Sequence, residues 1–373
     1  MNEKKKDTNL VSWGWNEAWQ DQFEQLATAG SKKVEPARVT AQYSRIYQIV
    51  SESGELSAEV SGRFEFAAVS PGDYPAVGDW VAIEPLEGEG RAIIHAVLKR
   101  RSAMIRKTAG STLDEQVVGT NLDTVFIVQS LNQDWNARRL ERYLIAVRDS
   151  GSQPVVLFTK SDLCDDPTPY LSEAERIAPG VPVFAVSAIT DQGRKGLAPY
   201  LKPGHTVAAV GSSGVGKSSL LNWLAGDDLQ EVQRIREDDA RGRHTTTHRE
   251  LFRLPEGAIW LDTPGMRELQ MWDSQHGWQA TFTDVEELAA SCRFRDCQHE
   301  KESGCAVRAA LEDGSLDASR YANYRKTERE IARIARKEQF AANRLKKKGG
   351  SRDSESGRKQ KHRANGAGFY DAE

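Results

Sequence analysis

The sequence predicts a multidomain chain: a small β-barrel, then an α/β unit built on a parallel sheet, then a metal-stapled module that runs into a helix. Three observations predict it. Residues 36–108 break into short β-rich runs split by turn residues, and from about 120 to 265 apolar strand-like runs alternate with helical patterns. Three of the four cysteines then fall between positions 292 and 305, with His299 among them. Closely spaced short strands close into barrels, strands alternating with helices build a helix-covered sheet, and clustered Cys and His outside a secreted framework read as a metal site. A length of 373 residues agrees, being too long for one ordinary core and right for two or three domains.

The first element, in an N-terminal helical segment over 1–35, is LVSWGWNEAWQDQFEQLA (10–27), which places Trp15, Ala18, Trp19, Phe23 and Leu26 on one helical face. Packing against a neighbouring domain is the first use of such a face, and contact with a large partner is the second. The barrel spans 36–112, with strands expected in ARVTAQYSRIYQIV, SGELSAEVSG, FEFAAV, GDWVAIEP and RAIIHAVLKR. Its end, KRRSAMIRK (99–107), carries five basic residues, which suits an OB-type barrel that binds RNA. A structural barrel with an exposed charged edge accounts for the same residues.

The central unit spans 113–270, with strands expected at 124–130, 154–159, 181–188, 206–211 and 258–263 and helices at 137–151 and 218–225. GSSGVGKSS (211–219) follows an apolar strand and opens a helix, the context that makes G-x4-G-K-S a phosphate-binding loop. Gly211, Gly214 and Gly216 let backbone N–H groups of the loop, including those of Ser212, Ser213, Val215 and Ser219, curl around phosphates. Lys217 neutralises β- and γ-phosphate charge, and Ser218 offers a hydroxyl to Mg²⁺. DTPG (262–265) ends a strand 45 positions after Lys217, where Asp262 can hold Mg²⁺ through water and the Gly265 amide can meet a γ-phosphate. Between them lies GRHTTT (242–247), whose Thr246 is the expected second hydroxyl on Mg²⁺.

TKSD (159–162) also ends a strand, and the Asp162 carboxylate can accept from the N1–H and the exocyclic amine of guanine, a donor pair adenine lacks. The stem of Lys160 can cover the base, with Thr159 and Ser161 shaping the loop, and Ser187-Ala188 after the next strand supports the base oxygen. The base readers precede the phosphate loop, so the chain is a circularly permuted α/β P-loop GTPase domain. A nucleotide pocket needs proximity in space rather than order in sequence, and permutation is tolerated where termini lie close.

Cys292, Cys297, His299 and Cys305 form C-x4-C-x-H-x5-C. Three thiolates and one imidazole suit a single tetrahedral, structural Zn²⁺ in a closed four-ligand site. This zinc-binding helical domain covers 271–348, including a charged helix over about 317–348, and a basic disordered tail follows over 349–373. Net charge is −3, yet residues 320–363 hold 16 Lys/Arg against 5 Asp/Glu, +11, leaving −14 for the rest. Such a tail seeks an anionic partner, nucleic acid first, or serves as a solvated tail. No apolar run approaches the roughly 18 residues that span a bilayer, and MNEKKKDTNLVSWGW lacks the apolar core of a secretory signal. A cytoplasmic protein with no membrane contact is expected.

TKSD, SA, GSSGVGKSS, GRHTTT and DTPGMRE, flanked by a β-barrel and a Cys/His module, resemble the RsgA (YjeQ) family of circularly permuted bacterial GTPases. PAVGDWV (75–81) and NLDTVFIV (121–128) carry the resemblance too, which covers about residues 10–330. It implies a monomer that binds GTP and GDP, docks on the 30S ribosomal subunit and 16S rRNA, and acts late in subunit maturation. It points to the same four zinc ligands, with Mg²⁺ accompanying GTP. The sequence departs at Thr159, where GTPases commonly have Asn, so that weaker pocket hydrogen bonding is expected. Met266 stands where Ras-like enzymes place a water-orienting Gln. A thioether cannot orient water, so intrinsic hydrolysis should be slow and completed by the subunit, with His244 as candidate for positioning the water or as a phosphate or RNA contact. Two alternatives stand beside the ribosome-stimulated GTPase. One is an RNA-binding assembly or checkpoint factor in which nucleotide is mainly an affinity switch. The other is a P-loop ATPase or small-molecule kinase, against which TKSD argues.

Overall fold

The computed structural model describes residues 9–28, 34–107, 115–131, 135–226, 249–262, 275–336 and 339. A turn at Leu10–Trp13, capped by the Asn9 side chain, precedes helix α1 (Glu17–Thr28), so the amphipathic face splits between two elements, with Trp15 in the junction. Trp19 is fully buried and Phe23 nearly so. Trp15 and Trp19 meet Trp80 of the barrel at ring-centroid distances of 4.7 and 6.2 Å, which is the expected packing role.

Strands β1 (Glu35–Tyr43), β2 (Ile46–Ser51), β3 (Gly54–Val60), β4 (Trp80–Leu86) and β5 (Arg91–Val97) pair in the order β1-β2-β3-β5-β4, and β1 closes on β4. Only the β3–β5 pairing is parallel, and helix α2 (Gly62–Ala67) bridges β3 and β4, which is the OB connectivity. FEFAAV, expected as a strand, therefore has its first four residues in a helix. Ser61 caps it by accepting from the Phe64 amide, and none of its residues is buried. Arg63-Phe64-Glu65-Phe66 alternates as a strand would, but no residue of the segment is buried, so its alternation reports no core-facing side. The basic end of the barrel also differs from expectation in part. Arg100 is folded inward, its guanidinium on the fully buried Asp79 carboxylate at 2.7–3.2 Å and on the Gly72 and Tyr74 carbonyls. Arg101 lies 4.5 Å over the Trp19 ring. Strand β6 (Ala103–Lys107) leaves the barrel to pair with β7 (Glu115–Thr120).

The second unit holds β8 (Thr124–Ser130), β9 (Gln153–Thr159), β10 (Val183–Ala185), β11 (Thr206–Val210), β12 (Arg249–Arg253) and β13 (Ile259–Asp262). Their order is β10-β9-β8-β11-β13-β12, parallel except for β12. Every residue of β8 is buried, as a strand covered on both faces must be. Helices α3 (Ala137–Asp149) and α4 (Thr168–Ile177) cover one face through Leu140, Leu144, Ala174 and Ile177. The short α5 (Arg194–Leu197) and α6 (Lys217–Ala225) cover the other through Leu197, Leu220 and Leu224.

The barrel and this sheet are one hydrogen-bonded surface, because edge strand β12 pairs with β1 at Ala41–Glu250 and Gln42–Arg249. Arg38 of β1, buried, stacks 5.3 Å from Trp80, donates to the Trp13 carbonyl and reaches Thr206 Oγ1 at 2.7 Å. PAVGDWV and NLDTVFIV meet at the same junction: Asn121 donates to the Gly78 carbonyl at 3.0 Å and accepts from the Arg101 amide at 2.9 Å.

At the C-terminal end, α7 (Gln275–Thr281), α8 (Thr283–Ala290), α9 (Ala306–Glu312) and α10 (318–336) surround Trp278, Phe282, Val285, Val307 and Tyr324. Ile145 of α3 completes that core. A buried ionic cluster seals it: Arg320 donates to Glu141 Oε1 of α3 at 2.9 Å and to both Asp284 oxygens at 2.5 and 2.7 Å, and Asn323 donates to Glu141 Oε2. Desolvation pushes the Glu141 carboxyl above its usual range, against the pull of Arg320 and the Asn323 amide.

Candidate nucleotide site and metal centre

Four strand ends build the site, all at the carboxyl edge of the parallel sheet, where open α/β sheets leave their crevice. β11 runs into the Gly211–Gly216 loop, β9 into TKSD, β10 into Ser187-Ala188, and β13 ends on Asp262 next to β11. The phosphate loop has to be glycine at its ends. A Cβ on Gly211, at φ 150°, would lie 2.3 Å from the Val128 carbonyl oxygen, and Gly216 turns into α6 at φ 97°. Between them Val215 is buried while Ser213 and Gly214 stay exposed, so the loop is pinned by one side chain and offers its crest to solvent. Lys217 opens α6 and folds back, its Nζ 2.6 Å from the carbonyls of Gly211 and Ser212. Ser218 and Ser219 follow, exposed on the first turn at the positive end of the helix.

The TKSD loop is tied to the Gly211–Gly216 loop by two residues. Thr159 Oγ1 donates to the Val215 carbonyl at 2.5 Å, with the Gln129 carbonyl at 3.2 Å as its next neighbour. Lys160, at φ 59°, arches across and donates from Nζ to the Gly214 carbonyl at 2.9 Å. Where GTPases commonly have Asn, the Thr159 hydroxyl makes the tie to the Val215 carbonyl. Ser187 Oγ donates to Asp162 Oδ1 at 2.5 Å and accepts from the amides of Ile189 and Thr190 at 3.2 Å, which aims the carboxylate. Ser161 is buried and donates to Gln192 Oε1 at 3.0 Å, joining TKSD to the loop after Ala188.

Structure adds residues that sequence reasoning missed. Arg139 of α3 donates from Nη1 to Ser212 Oγ at 2.5 Å. Trp223 of α6 donates to Asp191 at 2.7 Å, and Arg194 lies 5.7 Å from the Trp223 ring, so the helix after the phosphate loop also braces the loop after Ala188. No motif marks these side chains; only the fold brings them to the site. His244, Thr246, Gly265 and Met266 lie outside the described residues. Asp262 is half-buried and paired in register with Glu250.

Cys292, Cys297, His299 and Cys305 converge, their ligand atoms all within 4.8 Å of one another. Metal–sulfur bonds of about 2.3 Å at the tetrahedral angle put two sulfurs about 3.8 Å apart. The Cys292 and Cys305 sulfurs are 3.9 Å apart, and His299 Nδ1 lies 3.5 and 3.4 Å from them. A left-handed backbone at His299, φ 61°, turns the ring inward, and Cys305 sits at the N-cap of α9. Donor set and edges fit one tetrahedral thiophilic cation.

Residues 97–272 match the family model of the RsgA GTPase, and 206–339 match that of a 50S ribosome-binding GTPase. The second match begins at β11, the strand that opens an unpermuted GTPase domain. The small ribosomal subunit biogenesis GTPase RsgA of Opitutus terrae is 47% identical over 337 residues, covering 88% of this chain and 91% of its own. RsgA 1 of Listeria innocua is 46% identical over 300 residues, covering 80% and 84%. Among solved structures, YjeQ from Thermotoga maritima aligns at TM-score 0.60 with 26% identity, covering 80% of this chain and 99% of that one. YloQ, a circularly permuted GTPase, aligns at 0.57 with 27% identity, covering 80% and 96%. The small-subunit relatives span far more of the chain than the 50S-named model does, and they decide the family.

Proposed function

This chain belongs to the RsgA family of small ribosomal subunit biogenesis GTPases, and from that premise we propose that it docks on the maturing 30S subunit with GTP bound and leaves after hydrolysing it to GDP and phosphate. It is a GTP hydrolase. The observation that supports the site assignment best is the double tie of Thr159 and Lys160 to the Gly211–Gly216 loop, since it holds the loop that carries Asp162 beside the G-x4-G-K-S loop.

Asp162 accepts from the guanine edge, with Ser187 holding its aim, and Ala188 supports the base oxygen. Thr159, Lys160 and Ser161 shape the base loop. Gly211, Ser212, Ser213, Gly214, Val215, Gly216 and Ser219 present main-chain donors, and Lys217 moves its ammonium to the β- and γ-phosphates. Ser218 and Thr246 are the proposed Mg²⁺ ligands, with Asp262 behind them and the Gly265 amide at the γ-phosphate; the ion supplies charge neutralisation between the phosphates. His244 positions the attacking water when the chain sits on the subunit. Cys292, Cys297, His299 and Cys305 hold one structural zinc. The partners are the 30S subunit and its 16S rRNA, met by a monomer. Because its relatives are named for small ribosomal subunit biogenesis, we place the protein in the cytoplasm; among the described residues no helix is long and apolar enough to cross a membrane.

Co-sedimentation tests the docking step. The chain should pellet with 30S subunits in the presence of a non-hydrolysable GTP analogue and stay in the supernatant with GDP. Equal pelleting in both states would favour the RNA-binding factor whose turnover is incidental.

A further inference from the structure

Helix α3 is gripped on two sides by segments far apart in the chain. Toward the nucleotide site, Arg139 donates to Ser212 Oγ at 2.5 Å, and the Ser212 carbonyl is one of the two that hold the Lys217 ammonium, at 2.6 Å. Toward the C-terminal module, Glu141 binds Arg320 and Asn323, and Ile145 enters the module's core. Arg148 donates to the Ala280 carbonyl at 2.7 Å, and Asp149 accepts from the Gly277 amide at 2.6 Å. Residues 139 and 141 are two apart and so point about 200° from each other around a helix. One rigid element therefore touches the phosphate loop with one side and the zinc module with the other.

We propose that Arg139 is a positioning residue for the phosphate loop, and that the C-terminal module sets its grip through α3, so that displacing the module moves the Lys217 ammonium. The inference rests on the GTPase reading above and deepens it, since it names a route by which a partner seated on the module reaches the phosphates. Arg139 acts through Ser212 and is not a catalytic residue. Packed helices move as units rather than bending, and an error of about 1 Å at a reacting group can cost about a hundredfold in rate. Glu141 carries the coupling best: its charge is buried, and Arg320, its partner, is committed to Asp284 and the Thr281 carbonyl as well.

Steady-state GTP hydrolysis by the full chain tests this with Arg139→Ala, Arg139→Lys, Glu141→Gln and the Arg139→Ala/Glu141→Gln double variant, each checked for zinc content and cooperative unfolding. Arg139→Ala should lower kcat about tenfold with KM nearly unchanged, and Arg139→Lys, which keeps a donor, should recover part of it. Glu141→Gln, which keeps the shape and removes the charge, should lower kcat about fivefold. The double variant should be no slower than Arg139→Ala alone, because both changes break one chain of contacts. Wild-type kcat in Arg139→Ala, or a double variant whose loss is the product of the two single losses, overturns the proposal. If Glu141→Gln loses zinc or cooperativity, Arg148→Gln takes its place under the same criterion. Wild-type hydrolysis that Lys217→Ala abolishes upholds the GTPase reading whatever Arg139 does, whereas a wild-type chain without GTP turnover even when 30S subunits are added refutes that reading itself.

Discussion

Asp162 aims its carboxylate with the help of one hydroxyl, that of Ser187, at 2.5 Å. Asp162→Asn replaces an acceptor with an amide that suits a keto edge, so GTP should bind more weakly and xanthosine triphosphate relatively better in a fluorescence competition assay; unchanged GTP affinity would remove TKSD as the base reader. Thr159→Val keeps the shape and deletes the donor, leaving the Val215 carbonyl without it. Losing such a buried hydrogen bond costs about 1–2 kcal/mol, and calorimetric titration should show GDP affinity falling by a corresponding factor of about ten. The residues of both loops were legible in the sequence because each motif is contiguous. Their mutual bonds were not. Thr159 and Val215 are 56 positions apart, and whether a hydroxyl can stand in for the usual amide depends on a distance that only folding sets.

At the scale of elements, the α/β strands were readable because two-sided burial writes an unbroken apolar run, as in TVFIVQS. Helix α2 was not, because Arg63-Phe64-Glu65-Phe66 alternates as a strand would while GRFEFA buries nothing, so the pattern marks no buried face. Nor could the basic run at 99–107 reveal that Arg100 turns inward, since a charge reads as surface until its buried partner, Asp79, is placed beside it. Removing one partner of such a pair leaves an uncompensated buried charge, so Arg100→Ala should destabilise the barrel by about 3–5 kcal/mol in urea unfolding. The zinc module shows a similar limit. Trp278, Phe282 and Tyr324 pack ring against ring, but the core they form borrows Ile145 from α3, 133 positions before Trp278 in the chain. Chelation should therefore release the Cys/His loop and α9 while α7 and α10 stay docked. Hydrogen exchange should show protection lost around 292–312 and kept around 278–282; exchange rising equally across 275–336 would mean that the metal holds the whole module.

For the whole molecule, permutation matters because it fixes what adjoins what. The barrel joins the sheet edge through β1–β12, and the zinc module follows the DTPG segment while resting on α3. An RNA surface would thus meet three units that share one hydrogen-bonded and packed frame. The net charge of +11 over 320–363 should make binding to the subunit weaken steeply with salt, a slope that filter binding at several potassium concentrations reads directly. The central claim is that the chain carries an incomplete GTPase site which the small ribosomal subunit completes. GTP turnover by the purified chain, measured alone, with 30S subunits and with 50S subunits, tests that claim most directly. A slow intrinsic rate raised manyfold by 30S subunits and left alone by 50S subunits is the predicted result, and an intrinsic rate that 30S subunits do not change would contradict it.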